Sequence, residues 1–282
     1  ERRIATITVQ APQEAPASGI GEIERAGAAW WPLKMARELD DAILMLRVNN
    51  AAVGTIILKT EGDAAKVLAL GEVLIRHRGD WFVRETTNFL RRTLQRLDVS
   101  SRSLFAIIGK GSCFAGPLAE FALAADRSYM LDDTETPAES PKMVLDETNF
   151  GLFAMNNGMS RIDAHFQGDA TALDKAKGRI GDALDAKAAK AIGLVTFTPD
   201  ELDWEDEVRI AIEERASLSP DALTGMEASL RFGGGETMET KVFGRLTAWQ
   251  NWIFIRPNAV GEQGALKLYG TGTKPSFNWE RV

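Results

Sequence analysis

The chain has 282 residues, 33 basic against 40 acidic for a net charge of −7, and 45% hydrophobic residues. That supports a real core, in one domain or a core with an appendage, and argues against nucleic acid as the main partner, because phosphate binding needs a basic surface. The single Cys113 excludes an intramolecular disulfide framework and fits a reducing compartment, the two histidines His77 and His165 leave no zinc spacing, and no apolar run reaches the roughly 18 residues that span a bilayer.

In chain order, the alternating β-branched run Ile4 to Val9 predicts a strand. It follows Glu1-Arg2-Arg3 directly, without an initiator methionine, and the chain is read as a piece of something longer. Residues 11–19, rich in Ala, Pro and Gly, predict a loop. Leu33, Ala36, Leu39, Ile43, Leu44 and Leu46 have helical spacing within Trp30 to Val48. Val53 to Leu58 predicts a second strand, closed by a turn at Glu61-Gly62-Asp63, with Gly62 to Gly71 as a loop. Phe82 to Leu97 predicts a basic amphipathic helix carrying Phe89, Leu90, Leu94 and Leu97 on one face. Residues 131–144 predict a polar, mobile loop, and Ala183 to Ala191 an Ala/Lys helix stopping at Gly193-Leu194-Val195, where a strand begins. From Trp204 onward the pattern is mostly helical, including Ala222 to Leu230 and, after Gly233-Gly234-Gly235, Met238 to Phe254. The aromatic, glycine-rich tail from Pro257 is expected to lie against something rather than fold alone. Strands alternating with helices imply parallel βαβ units.

The most informative stretch is Leu104 to Met130. A short apolar strand, Leu104 to Ile108, leads through a small-residue turn, Gly109 to Gly116, into an Ala/Leu helix, and a further apolar segment starts near Tyr129. A helix that opens at a glycine turns free N–H groups and a positive dipole end outward, which suits an anion or a developing oxyanion. Gly116 is the candidate donor, and removing such a donor typically costs about 3–4 kcal/mol of transition-state stabilisation. Its ordinary role is to allow tight strand–helix packing. Glu120, a carboxylate in apolar company, is a candidate acid or base, or else a helix carboxylate paired with an Arg or Lys. Glu147 is the second candidate, or a solvated loop acid; unequal environments would let the pair divide acid and base work. Ser112 and Cys113 have no histidine nearby in sequence to activate them and read as packing residues. Asn156 and Asn157 are candidate substrate-binding amides, although Asn156-Asn157-Gly158 is also a common turn sequence. His165 reads as a structural hydrogen-bonder, and Lys175, Lys177, Arg179 and Lys187 as a solvated face.

These residues resemble the crotonase (enoyl-CoA hydratase/isomerase) superfamily over roughly residues 4 to 200. The resemblance rests on five pieces in order. They are Trp31-Pro32-Leu33 with the helix after it, Val53 to Gly62, Gly111 to Asp126, Asp146-Glu147-Thr148-Asn149-Phe150-Gly151, and Asp185 to Val195. It implies an α/β fold, a crotonase-like spiral of ββα turns over residues 1–203, with residues 204–282 as a helical C-terminal region bearing the tail. It also implies thioester chemistry. Backbone amides hold the acyl oxygen while Glu120 and Glu147 move protons, coenzyme A enters as part of the substrate, and neither metal nor added cofactor takes part.

Trp30-Trp31-Pro32-Leu33, Ala36 to Ala42, Gly111 to Gly116 and Gly244 to Phe254 resemble a two-half branch of the superfamily. That branch hydrolytically opens the oxygenated, dearomatised ring of a benzoyl-CoA derivative in aerobic benzoate degradation, releasing formate and a semialdehyde CoA ester. The resemblance implies a lyase of which this chain is one half, with a second crotonase-like half as partner, a homo-oligomer, a cytoplasmic location, and no nucleic acid or membrane. Two departures favour an alternative. Pro117 stands where relatives carry another glycine and has no N–H to offer, and Gly62 to Gly71 lacks the usual small-residue donor loop. On these grounds the chain would be a catalytically silent module supporting an active half. A stand-alone enoyl-CoA hydratase or isomerase is the third reading.

Overall fold

A computed structural model describes residues 3–231 and 235–280. Its centre is a four-stranded parallel sheet in sequential order: β1 (Ile4–Gln10), β2 (Thr55–Glu61), β3 (Ser103–Ile108) and β4 (Arg127–Met130). The ladder pairs Ile4 with Thr55, Leu58 with Ala106, and Ile108 with Met130. Parallel strands need long crossovers. The first carries α1 (Ile20–Ala26) and α2 (Trp31–Asn49), the second α3 (Ala64–Arg76) and α4 (Trp81–Asp98), and the third the short α5 (Ala119–Leu123). Every side chain of β3 is buried, as expected of an inner strand covered on both faces.

One face of the sheet packs against α2 and α4 through Leu39, Ile43, Leu90 and Leu94. Asp80 caps α4 by accepting from the N–H groups of Phe82 and Val83, and the Val83, Leu90, Leu94 and Leu97 stripe is buried at helical spacing. Each such leucine contributes about 2 kcal/mol over an exposed one. The other face carries Ile57, Phe105, Ile107 and Tyr129, which pack on Ala211 of a long helix from the C-terminal region. That helix, together with its neighbours, is introduced below.

Several sequence expectations require correction. Gly62 to Gly71 is not a loop. Asp63 accepts from the Ala65 N–H and starts α3, whose Val67, Leu70 and Leu74 face the core at spacings of three and four residues. The Ala/Leu helix is only five residues long and is preceded by a 3-10 turn, Gly116–Leu118. No strand starts at Gly193-Leu194-Val195. Instead two isolated bridges extend the sheet past β4: Phe197, accepting from Met130 N–H and donating to Ser128 C=O with its ring stacked 4.9 Å from that of Tyr129, and Asp200 opposite Asp132. The loop 131–144 is polar at its start but ends in buried Met143 and Val144.

Further helices follow: α6 (Arg161–His165), α7 (Ala170–Lys177), α8 (Ala186–Ala191), α9 (Trp204–Ser217), which covers the second sheet face, and α10 (Pro220–Arg231). Gly233 and Gly234 of the expected glycine break lie outside the described residues. The segment expected to be helical from Met238 is π-helical over Thr240–Leu246, continues as α11 (Thr247–Ile253), and is followed by α12 (Pro257–Val260). The tail does lie against the body. Arg3 of the body stacks 3.1 Å over the Trp279 ring, and within the tail Asn258 clasps Asn278 through two hydrogen bonds.

Candidate functional site

Glu120 sits in the first turn of α5 and is 1% exposed. A bare carboxylate at that depth would be very costly, so its neighbours decide its role. Oε1 accepts from Asn149 Nδ2 at 2.8 Å and Oε2 from Arg161 Nη1 at 2.9 Å. The Arg161 guanidinium, equally buried, also grips Asp98 bidentately, with Nε to Oδ1 at 3.0 Å and Nη2 to Oδ2 at 2.7 Å. Nη1 further donates to Phe153 C=O at 2.7 Å. Asn149 Nδ2 also donates to Gly116 C=O at 2.9 Å. One cation of α6 thus joins the end of α4 and α5 and the backbone at Phe153, while Asn149 of the 3-10 turn Glu147–Phe150 joins through Glu120. Burial pushes the Glu120 and Asp98 carboxyls up from their ordinary values, and Arg161 partly offsets the rise. Each carboxylate oxygen of Glu120 thus accepts a hydrogen bond from a buried side chain, an arrangement that ties elements together.

The opening of α5 follows the same logic. Gly116 has φ +44° and turns its N–H to Val144 C=O at 2.9 Å. The candidate donor amide is engaged here by a pairing of the turn with the end of the 131–144 loop. Pro117 has no N–H, and the Leu118 N–H donates to Ala115 C=O at 2.9 Å. On the neighbouring loop, Gly62 N–H donates to Gly111 C=O at 3.1 Å. The space above Gly116 is taken by the chain itself. A Cβ at Gly116 would lie 2.3 Å from Asp146 Oδ2, and one at Gly71 of α3 would lie 2.2 Å from the same atom. Two glycines therefore make a cradle for the Asp146 carboxylate, whose Oδ1 accepts from Thr148 N–H at 2.8 Å and from the Thr148 hydroxyl. Burial raises the Asp146 carboxyl above the ordinary carboxylate range. An acyl oxygen placed here would meet the Asp146 carboxyl group rather than a free backbone amide.

The other candidates lie apart. Glu147 follows Asp146 but its side chain is exposed. Asn156 and Asn157 sit exposed on a tight turn closed by Gly158, and Asn157 Oδ1 accepts from Met159 N–H at 3.1 Å, so that amide serves the turn. Ser112 Oγ accepts from Gly109 N–H at 3.1 Å, and buried Cys113 has its thiol pKa pushed up by burial, which suits packing roles. His165 pairs with Gly193 C=O at 2.7 Å. Lys187 and Arg179 are engaged by Asp132 and Asp182. No group of three or more metal-ligating side chains occurs among the described residues, and no helix there is long and apolar enough to cross a membrane. Sequence reasoning missed Arg161, Asp98, Asn149 and Asp146. The one available signal was charge inside otherwise apolar helices, which does not say which partner, 29 or 41 residues away from Glu120, answers it.

Comparison with known proteins agrees with this architecture. No protein-family model matches the chain. The crystal structure of an enoyl-CoA hydratase from Geobacillus kaustophilus superposes with a TM-score of 0.68 at 18% identity, covering 99% of this chain and 94% of that one. An enoyl-CoA hydratase/carnitine racemase from Magnetospirillum magneticum gives 0.67 at 19% identity with the same coverage. The chain therefore has the crotonase fold. A benzoyl-CoA-dihydrodiol lyase from Aromatoleum evansii is 59% identical over 281 residues, covering 99% of this chain and 50% of that protein. The chain spans about half the length of the relative that it matches.

Proposed function

We propose that this chain is one crotonase-like half of a benzoyl-CoA-dihydrodiol lyase, an enzyme that opens the oxygenated, dearomatised ring of a benzoyl-CoA derivative. Within it, this half acts as the structural partner of the half that holds the thioester. Coenzyme A enters as part of the substrate, no further cofactor is needed, and the enzyme is a cytoplasmic homo-oligomer. Residues 1–203 form the crotonase-like core and 204–282 the helical appendage. The identity of 59% along the whole chain supports the lyase assignment. The supporting role is carried by one observation: the Gly116 amide is spent on Val144 C=O beneath the Asp146 carboxylate.

In the full-length enzyme, Glu120→Gln is expected to lower stability while leaving turnover per folded molecule within about threefold. A loss of about 100-fold or more in kcat, with the melting temperature unchanged, would restore Glu120 as a general acid or base. The exposure of Glu147 favours one further reading, in which that carboxylate moves a proton at the border with the other half. Glu147→Gln tests it by the same criterion.

A further inference from the structure

The C-terminal helices meet the core through charge as well as apolar packing. α9 lays Val208, Ala211 and Ile212 on Phe105, Ile107 and Tyr129 of the sheet. Beside that contact, outside the Arg161 cluster, lie five buried side chains: Arg215, Glu227 and Arg231 from α9 and α10, and Ser103 and Asp126 from the starts of β3 and β4. Arg231 is the anchor. It donates to the C=O groups of Leu97 at 3.2 Å, of Ser100, and of Arg102 at 2.7 Å, and lies 3.4 Å from Asp126. One turn earlier on α10, Glu227 is 1% exposed. Its Oε1 accepts from the Ser103 hydroxyl at 2.5 Å, and that hydroxyl accepts from Arg215 Nη1 at 2.9 Å. Its Oε2 is buried and accepts no hydrogen bond among the described residues, although Arg231 Nη2 stands 3.0 Å away, because that guanidinium is spent on backbone carbonyls. A buried carboxylate oxygen without a donor is costly, and protonation removes the charge.

The remaining charged groups nearby are engaged elsewhere. Asp98 at the end of α4 is held by Arg161, Arg102 donates to Leu46 C=O, and Arg245 of the π-helical segment is bonded to Ala228 C=O and Glu236. Asp126 opposes ionisation of Glu227, adding to the effect of burial, and the carboxyl is pushed up to about 8. We propose that Glu227 is a proton-operated clasp: protonated, it holds α9 and α10 against β3, and on ionisation this pair of helices opens from the sheet while the rest of the core stays folded. The clasp needs no part of the lyase reading. Proteins open locally in cooperative units that often coincide with supersecondary motifs, and α9 and α10 are consecutive helices joined only by Leu218-Ser219. Opening would return Glu227 to water and to its ordinary value of 4.5. A carboxyl raised in the closed state favours closure while protonated, and that contribution is lost as pH rises through its closed-state value. The ratio of closed to open molecules therefore falls about 100-fold from pH 5.5 to pH 8.

The test is hydrogen exchange on the full-length polypeptide, under conditions where the rate reports the opening equilibrium, corrected for the chemical exchange rate at each pH. Amides of α9 and α10 are expected to lose about 100-fold in protection between pH 5.5 and pH 8, while those of α4 and β3 keep theirs. In Glu227→Gln, which stays uncharged, α9 and α10 are expected to hold the same protection at both pH values. If Glu227→Gln does not fold, the unaltered protein decides, through the contrast between α9 with α10 and α4 with β3. Constant protection of α9 and α10 across the range, a parallel loss in α4 and β3, or a pH dependence that survives in Glu227→Gln overturns the clasp.

Discussion

Replacing Arg161 with Met removes the cation bonded to both Asp98 and Glu120 while keeping an apolar side chain of similar length. Four hydrogen bonds disappear: two to Asp98, one to Glu120 and one to Phe153 C=O. Breaking a buried ion pair from one side typically costs about 3–5 kcal/mol, and here two acids lose their partner together. The sign with pH follows from linkage. Both carboxyls already lie above their ordinary values because of burial. A raised acid stabilises the fold when protonated, and that contribution is lost as pH rises through its folded-state value. Without the guanidinium both rise further, so the deficit of the variant grows with pH. Retaining one extra proton from pH 5.5 to 8 corresponds to about 3.4 kcal/mol. Urea unfolding at the two pH values measures this, with the deficit expected near the lower limit at pH 5.5 and several kcal/mol larger at pH 8. A variant that loses under about 1 kcal/mol, or a deficit independent of pH, would refute the account of Arg161 as the tie between α4, α5 and α6.

Gly71→Ala should destabilise, although Ala in a helix normally gains about 1 kcal/mol over Gly, because its Cβ would lie 2.2 Å from Asp146 Oδ2. Overpacking of this kind costs about 1–3 kcal/mol. In an Asp146→Ala background the same substitution should become neutral or stabilising, and a thermal-melt double-mutant cycle without such a reversal would exclude the cradle. Glu227, held against Arg231 at 3.0 Å and Arg215 at 3.5 Å, is pushed up to about 8, by burial first and then by Asp126. Its contribution is full below its ordinary value of 4.5 and lost as pH rises to about 8, a decline of at most about 5 kcal/mol. Glu227→Gln mimics the protonated form, so chemical denaturation across that window should give a flatter stability profile, with the variant gaining on the wild type toward pH 8.

Period and punctuation alone determined much of this protein. Alternation in Ile4 to Val9, the apolar run Leu104 to Ile108 and the stripe on Phe82 to Leu97 each specify an element whose partners follow from chain order. The order of five short segments pointed to the crotonase fold, because βαβ crossovers leave few ways to arrange them. Gly62 to Gly71 resembles the motif's loop, yet Asp63 as a cap and the spacing of Val67, Leu70 and Leu74 specify a helix there. The site was decided by tertiary structure. Whether Gly116 offers its amide depends on where Val144 returns, and whether Glu120 is an acid or a tie depends on Arg161, 41 residues on. Local sequence encodes propensity within a few residues, whereas the state of a buried polar group is set by whatever packs against it in space.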